Sequence, residues 1–219
     1  MLNIPLLKKS FKVNLKVLLI FSVVLALYLS IIIGMYDPAS LDNMAKMLEL
    51  LPKQMVSALN FNLASNNSLD GFIASYFYGF LIFLVPMVFN IIVSNGLIAK
   101  YVDQGSMAYL LSVPNSRGKV VRTQAMVLIL DNVILMSCVT VLGIVISAIM
   151  FPGDLDVGLF FKINAGALLL QLAISSIGFF FSCLFSDTRY SLGFGAGIPI
   201  LFLLIQMLGD VGDKLKNLK

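Results

Sequence analysis

The stretch VLLIFSVVLALYLSIIIGMY, residues 17–36, holds twenty residues without a charged side chain. A helix of this length spans about 30 Å, the hydrocarbon thickness of a bilayer. The run is longer than the apolar part of a secretory signal, and no clear small-x-small cleavage site follows it. We therefore predict an uncleaved first membrane span.

Four more apolar runs follow, at about 72–94, 125–151, 163–185 and 192–209. The 219 residues are 59% hydrophobic and 12% charged, whereas soluble domains carry about 25% charged residues. The runs are uniformly apolar, unlike the alternating strands of a membrane barrel. The sequence predicts an all-α integral membrane protein, with residues 1–219 forming a single membrane domain of five visible spans.

Composition also argues against several classes of function. The chain has no His, and its two cysteines, Cys138 and Cys183, both lie in apolar runs. Catalysis by Ser-His or Cys-His pairs and zinc chemistry of the HExxH type are therefore excluded. The pI near 9.1 comes from basic residues that flank spans, which favours contact with membrane lipid over nucleic acid. We expect no enzyme, and neither a cofactor nor a metal on this chain.

Loop charges predict the orientation, because Lys and Arg accumulate on the cytoplasmic side. With the N-terminus in the cytoplasm, the outer loops hold three basic residues, Lys46, Lys53 and Lys162, beside six acidic ones. The inner side then holds nine: Lys8, Lys9, Lys12, Lys16, Lys100, Arg117, Lys119, Arg122 and Arg189. We expect a multi-pass protein of the cell membrane with a cytoplasmic N-terminus.

Two segments outside the spans have helical patterns. Within residues 1–16, Leu7, Phe11 and Leu15 recur every four residues with lysines between them. This pattern fits an amphipathic helix on the inner leaflet, or a basic flank that only fixes orientation. An apolar stripe in 37–71 predicts a helix that lies on the outer membrane face or caps a pathway.

The loop DQGSMAYLLSVPNSRGKVVR, residues 103–122, is basic and yet keeps an apolar cluster. A helix continues from the second span into 97–104, and Gly105 ends it. Ser106 and Pro114 then delimit a short helix over Met107–Ser112, and Ser116 caps the next helix. Burying two leucines of this helix would contribute about 3–6 kcal/mol. The residues alone leave two partners open, a protein or the inner leaflet.

This loop resembles the signature loop between the second and third spans of type-2 ATP-binding-cassette (ABC) permeases. Four positions depart from the family pattern: Ser106 replaces the usual Thr, Asp103 replaces Glu, Ala108 replaces a common acidic residue and Asn115 replaces Val. The span order, the basic N-terminus and the tight 186–191 loop also fit, so the likeness covers nearly all the chain. The matching positions are Asp103, Gly105, Ser106, Leu110, Leu111, Pro114, Ser116 and Arg117.

The resemblance implies the permease subunit of an ABC exporter in a bacterial plasma membrane. It would pair with a second copy or a homologue and dock on cytoplasmic ABC ATPase subunits, which bind ATP and Mg. It also implies six spans, so we expect a sixth to follow residue 219. The implied coupling residues are Asp103, Gly105, Ser106, Met107, Tyr109, Leu110, Leu111, Pro114 and Arg117.

ATP binding by this chain itself is not expected. The run RGKV at 117–120 has Val113 and Val120 where the Walker pattern requires Gly and Ser or Thr.

Asp131 is the acidic residue that lies well inside a span. It either marks a substrate pathway or remains hydrated near the inner interface. Asn132, Asn90 and Gln171 could line the same pathway or join helices by hydrogen bonds. A stand-alone secondary transporter or channel and a non-transporting scaffold are the alternative functions.

Overall fold

A computed structural model describes residues 2–36, 68–112 and 116–211. All regular structure in these ranges is helical, and five helices there are long and apolar enough to cross a membrane. The predicted all-α membrane fold is confirmed. The apolar stripe, which runs from Leu41 to Leu59, lies outside the described residues, as do Pro114 and the tail from residue 212.

The long helices overlap the five apolar runs of the sequence. The first is α1, Ile4–Gly34. The second begins with α2, Leu69–Ile73, passes through a π-helical segment, Ala74–Leu81, and continues as α3, Ile82–Leu97. After the loop helices α4, Ala99–Asp103, and α5, Met107–Ser112, come α6, Arg117–Met150, α7, Val157–Leu184, and α8, Thr188–Val211.

Two helix boundaries differ from the sequence prediction. The N-terminal segment and the first span form one unbroken helix, α1, rather than a surface helix followed by a span. The helix after the second span is interrupted at Ile98, whose backbone leaves the helical region (φ −133°, ψ −60°). There the Ala99 N–H donates to the Ser182 hydroxyl at 2.9 Å. This side chain of α7 replaces the backbone carbonyl that would accept the same bond in a continuous helix.

Contacts divide the chain into two compact units. The first unit comprises residues 1–22, 85–136 and 168–200. In it α1 runs parallel to α6, since Asn3 bonds Thr123 and Asn14 bonds Asp131. Likewise the second span runs parallel to α7, since Asn90 of α3 bonds Gln171 and Ala99 at the start of α4 bonds Ser182. Helices two crossings apart should be parallel, so these pairings fit successive crossings of a membrane.

Among the described residues, the second unit comprises those within 23–84, 137–167 and 201–219. The Tyr36 ring packs edge-on against Phe72 and Phe151, at 5.6 and 5.1 Å between centroids. The carboxylates of Asp154 and Asp70 lie close enough to Tyr36 to interact with it electrostatically. The Asp70 carboxylate also accepts the Asp156 N–H at 2.9 Å, which ties the start of α2 to the turn before α7.

Large apolar side chains cover much of the outside of the helices. Ile149 is 76% exposed and Leu169 is 68% exposed. Many other large apolar side chains of the helices are exposed as well, and such a surface matches contact with lipid tails. The protein is therefore a multi-pass membrane protein.

Candidate functional site

The loop helix α5 occupies the residues that the sequence predicts, Met107–Ser112. Gly105, just before it, has φ +70°, a left-handed conformation that costs little only for Gly. The Ser106 hydroxyl donates to the Tyr101 carbonyl at 3.1 Å, so it also fastens the end of α4. Gly105 and Ser106 thus form the corner between the second span and α5.

The apolar side chains of α5 are incompletely covered by the chain itself. Met107 and Leu110 are half-buried, and Ala108 is exposed. The backbone of Tyr109 and Leu111 belongs to α5, but their side chains are outside the described part. Three further residues, Asp103, Gly105 and Arg117, are exposed. Apolar area therefore remains on α5 for contact with another surface.

The start of α6 is capped as predicted, because the Lys119 N–H donates to the Ser116 hydroxyl at 3.3 Å. One turn later the Thr123 hydroxyl accepts the Asn3 backbone N–H at 3.0 Å. This bond places the N-terminal end of α1 beside the first turns of α6. The two elements predicted to meet a cytoplasmic partner, the N-terminal segment and the 103–122 loop, therefore lie at the same end of the first unit.

Asp131 is fully buried, and Asn14 donates its amide to one carboxylate oxygen at 2.8 Å. The other oxygen, Oδ1, has no hydrogen-bond partner. Asn14 is itself buried on α1, although the lysines around it in the sequence are typical of an exposed surface. The structure thus gives Asp131 a specific helix-to-helix partner that sequence reasoning missed.

The other three predicted span residues come together in one chain of amides. Asn132 on α6 donates to Asn90 on α3 at 2.8 Å, and Asn90 donates to the Gln171 side chain on α7 at 3.0 Å. All three are nearly inaccessible to solvent. Asn132 also donates to the Leu128 carbonyl at 2.9 Å. The amide chain therefore joins three helices. Hydrogen bonding between helices was one of the two roles predicted for these residues.

Adjacent positions 131 and 132 serve different partners, because successive residues on a helix point about 100° apart. Asp131 faces α1 through Asn14, whereas Asn132 faces α3 through Asn90. Among the described residues, no group of three or more His, Cys, Asp or Glu side chains could hold a metal ion. The Asp131–Asn14 pair and the amide chain make their hydrogen bonds between helices.

The sequence profile described as "ABC-2 family transporter protein" matches residues 5–219. The chain belongs to this family. No curated protein and no solved structure matches it. The match confirms the family indicated by the 103–122 loop and covers nearly the whole chain.

Membership of the ABC-2 family makes the chain a membrane permease of an ABC transporter. Permeases of this family are generally non-catalytic and associate with an ABC ATPase. Within this ABC-2 permease, α5 is therefore the candidate site of coupling. The Asp131–Asn14 pair and the amide chain are the candidate polar positions inside the spans.

Proposed function

We propose that this ABC-2 permease is the exporter subunit of its transporter and that α5 docks on a cytoplasmic ATPase. The supporting observation is a short helix between two spans, held at a left-handed glycine, with Met107 and Leu110 only half-buried. The resemblance of the loop to the signature loop of the family favours a protein partner over lipid. The basic residues around the loop then hold it at the cytoplasmic membrane surface by attraction to anionic lipid headgroups.

In this proposal two permease copies, or this chain and a homologue, associate with two ATPase subunits. The ATPases bind ATP and Mg, and their closure moves α5 together with the ends of α3 and α6. The N-terminal end of α1 follows, because Asn3 is bonded to Thr123 of α6. Such a movement would change the hydrogen bonds between helices that are made by Asp131, Asn132, Asn90 and Gln171, and in this proposal these residues line the substrate pathway.

The test is co-purification of the ATPase with the permease from membranes, with the ATPase identified by its Walker sequence and its ATP hydrolysis. The double variant Leu110→Asp with Leu111→Asp should lose the ATPase. A matched control is Leu155→Asp, a half-buried leucine in the turn between α6 and α7, which should retain it.

Retention of the ATPase and of ATP-driven transport by the double variant would contradict the docking role. Normal ATPase binding without net outward transport in membrane vesicles would instead contradict the exporter assignment. If no ATP-hydrolysing partner co-purifies with the wild type, a scaffold or a stand-alone transporter is the better description.

A further inference from the structure

A cavity of about 530 Å³ lies in the first unit, between α1, the α3–α4 region and the start of α8. Its volume is within the range of about 300–1,000 Å³ that is typical of small-molecule sites. None of the coupling residues of α5 lines it, and neither do the members of the amide chain. It is lined, however, by Asn14, the partner of Asp131, and by Asp103, one of the implied coupling residues, so the cavity adjoins both of those positions.

Two polar side chains in its wall have unsatisfied hydrogen-bonding atoms. Asn95 is only 8% exposed, and its side-chain carbonyl oxygen has no hydrogen-bond partner. The hydroxyl oxygen of Thr188 is likewise buried without a partner. Buried polar atoms in native proteins are nearly always paired. A ligand that donates to Asn95 and meets the Thr188 hydroxyl would satisfy both.

The same wall carries one charge of each sign. Lys100 and Asp103 both line the cavity, and they are three residues apart on α4, which places them on one face of that helix. The ammonium of Lys100 suits a phosphate, and the carboxylate of Asp103 suits a cation. This pair of charges matches a zwitterionic group better than a simple anion.

The rest of the wall is apolar and reaches the outer surface of the chain. Val13 and Ile92 line the cavity and are 60% and 45% exposed. Val17, Val93 and Leu192 complete this side. Exposed apolar residues on spanning helices face lipid tails, so the cavity offers a path for acyl chains from the bilayer into the site.

We propose that this cavity binds a phospholipid with a primary-ammonium headgroup, phosphatidylethanolamine being the simplest. Its phosphate lies at Lys100 and the Thr188 hydroxyl. Its ammonium donates to the Asp103 carboxylate and to Asn95 Oδ1, and its acyl chains leave past Val13 and Ile92. A quaternary ammonium has no N–H to donate to Asn95, so phosphatidylcholine fits less well. The proposal does not depend on docking by α5 itself, and it gives Asp103, which lies outside α5, a role in lipid binding in addition to its implied role in coupling.

The experiment is native mass spectrometry of the full chain, released from nanodiscs that contain equal amounts of phosphatidylethanolamine, phosphatidylcholine and phosphatidylglycerol. The wild type should retain phosphatidylethanolamine in preference to the other two. Lys100→Met and Asn95→Leu should each lower this retention about tenfold, as expected for the loss of a charge-assisted or buried hydrogen bond. Lys100 is exposed, so Lys100→Met should fold normally.

Matched controls lie on α7, outside the cavity. Lys162→Met removes an exposed lysine, and Asn164→Leu removes a buried amide; neither should change lipid retention. Equal retention of phosphatidylethanolamine by Lys100→Met and the wild type would overturn the proposal. So would equal retention of all three lipids, which indicates nonspecific lipid contact. Competition by soluble phosphoethanolamine at the same concentration as the lipid would assign the site to a free small molecule instead.

Discussion

Asn90 holds the amide chain of the first unit together, because its single side chain bonds both Asn132 and Gln171. Asn90→Ala removes both contacts between helices. Each such bond within a membrane contributes about 0.6 kcal/mol on average and up to about 1.7 kcal/mol. We expect the free energy of unfolding to fall by about 1–3 kcal/mol. Unfolding in mixed micelles measures it.

The control for Asn90→Ala is Ser176→Ala. Ser176 is exposed, and its hydroxyl donates to the Leu172 carbonyl within its own helix, so its removal should leave stability unchanged. An unchanged Asn90→Ala protein would show that the amide chain contributes nothing to helix pairing.

Gly178 is a second residue at which helix packing can be tested. A Cβ added there would lie 2.5 Å from the Ser94 hydroxyl oxygen of α3. Gly178→Ala should therefore destabilise the protein by about 1–3 kcal/mol through overpacking, and a further Ser94→Ala should recover part of the loss. Thermal unfolding in detergent measures both.

Gly166 supplies the matched control on the same helix, because a Cβ there would meet nothing within 4 Å. Gly166→Ala should be neutral or slightly stabilising, since Ala is the better helix former. Equal effects at 166 and 178 would contradict close packing between α7 and α3.

The hydrogen bond between Asn14 and Asp131 could not be predicted from the sequence around either residue. Asp131 was recognisable in the sequence as a carboxylate within an apolar run. Its partner stands 117 positions earlier, between Lys12 and Lys16, where the local pattern indicates a basic surface. Only the parallel packing of α1 on α6 turns Asn14 inward. The same holds for Asn95 and Thr188, whose shared cavity is set by the packing of helices distant in sequence.

At the level of elements, α5 was fully predictable, because Gly105 and Pro114 are local signals that bracket it. The break at Ile98 was not, since it depends on the Ser182 hydroxyl of another helix. The continuity of α1 through residue 16 was also missed. Lysines at 12 and 16 do not interrupt a helix. Charged residues therefore indicate the boundary of the membrane and not the boundary of the helix.

The corner at Gly105 leads to a prediction about α5. Gly105→Ala has free space for its Cβ, so its cost is the left-handed backbone, about 1–2 kcal/mol. Gly105→Asn should cost less, because Asn tolerates this conformation better. We expect ATP-driven transport to fall in the order Gly, Asn, Ala at position 105, with the thermal stability of the spans unchanged. Equal transport by all three would show that the corner is unimportant for coupling.

At the scale of the whole molecule, the loop charges predict which ends of the spans are cytoplasmic. In a protein without its native cysteines, Cys138 and Cys183, single variants Gly118→Cys and Asp154→Cys probe two exposed positions at opposite ends of α6. A membrane-impermeant maleimide should label position 154 in intact cells and position 118 only after permeabilisation. The reverse pattern would place α5 outside the cell and exclude contact with a cytoplasmic ATPase.

Site-directed photo-crosslinking in native membranes can detect the contact between α5 and that ATPase. A photoreactive amino acid at position 110 should yield an adduct whose second component is an ATPase with a Walker motif. The same group at position 155 should yield none. An assembled, ATP-hydrolysing transporter that gives no ATPase adduct from position 110 would contradict the account.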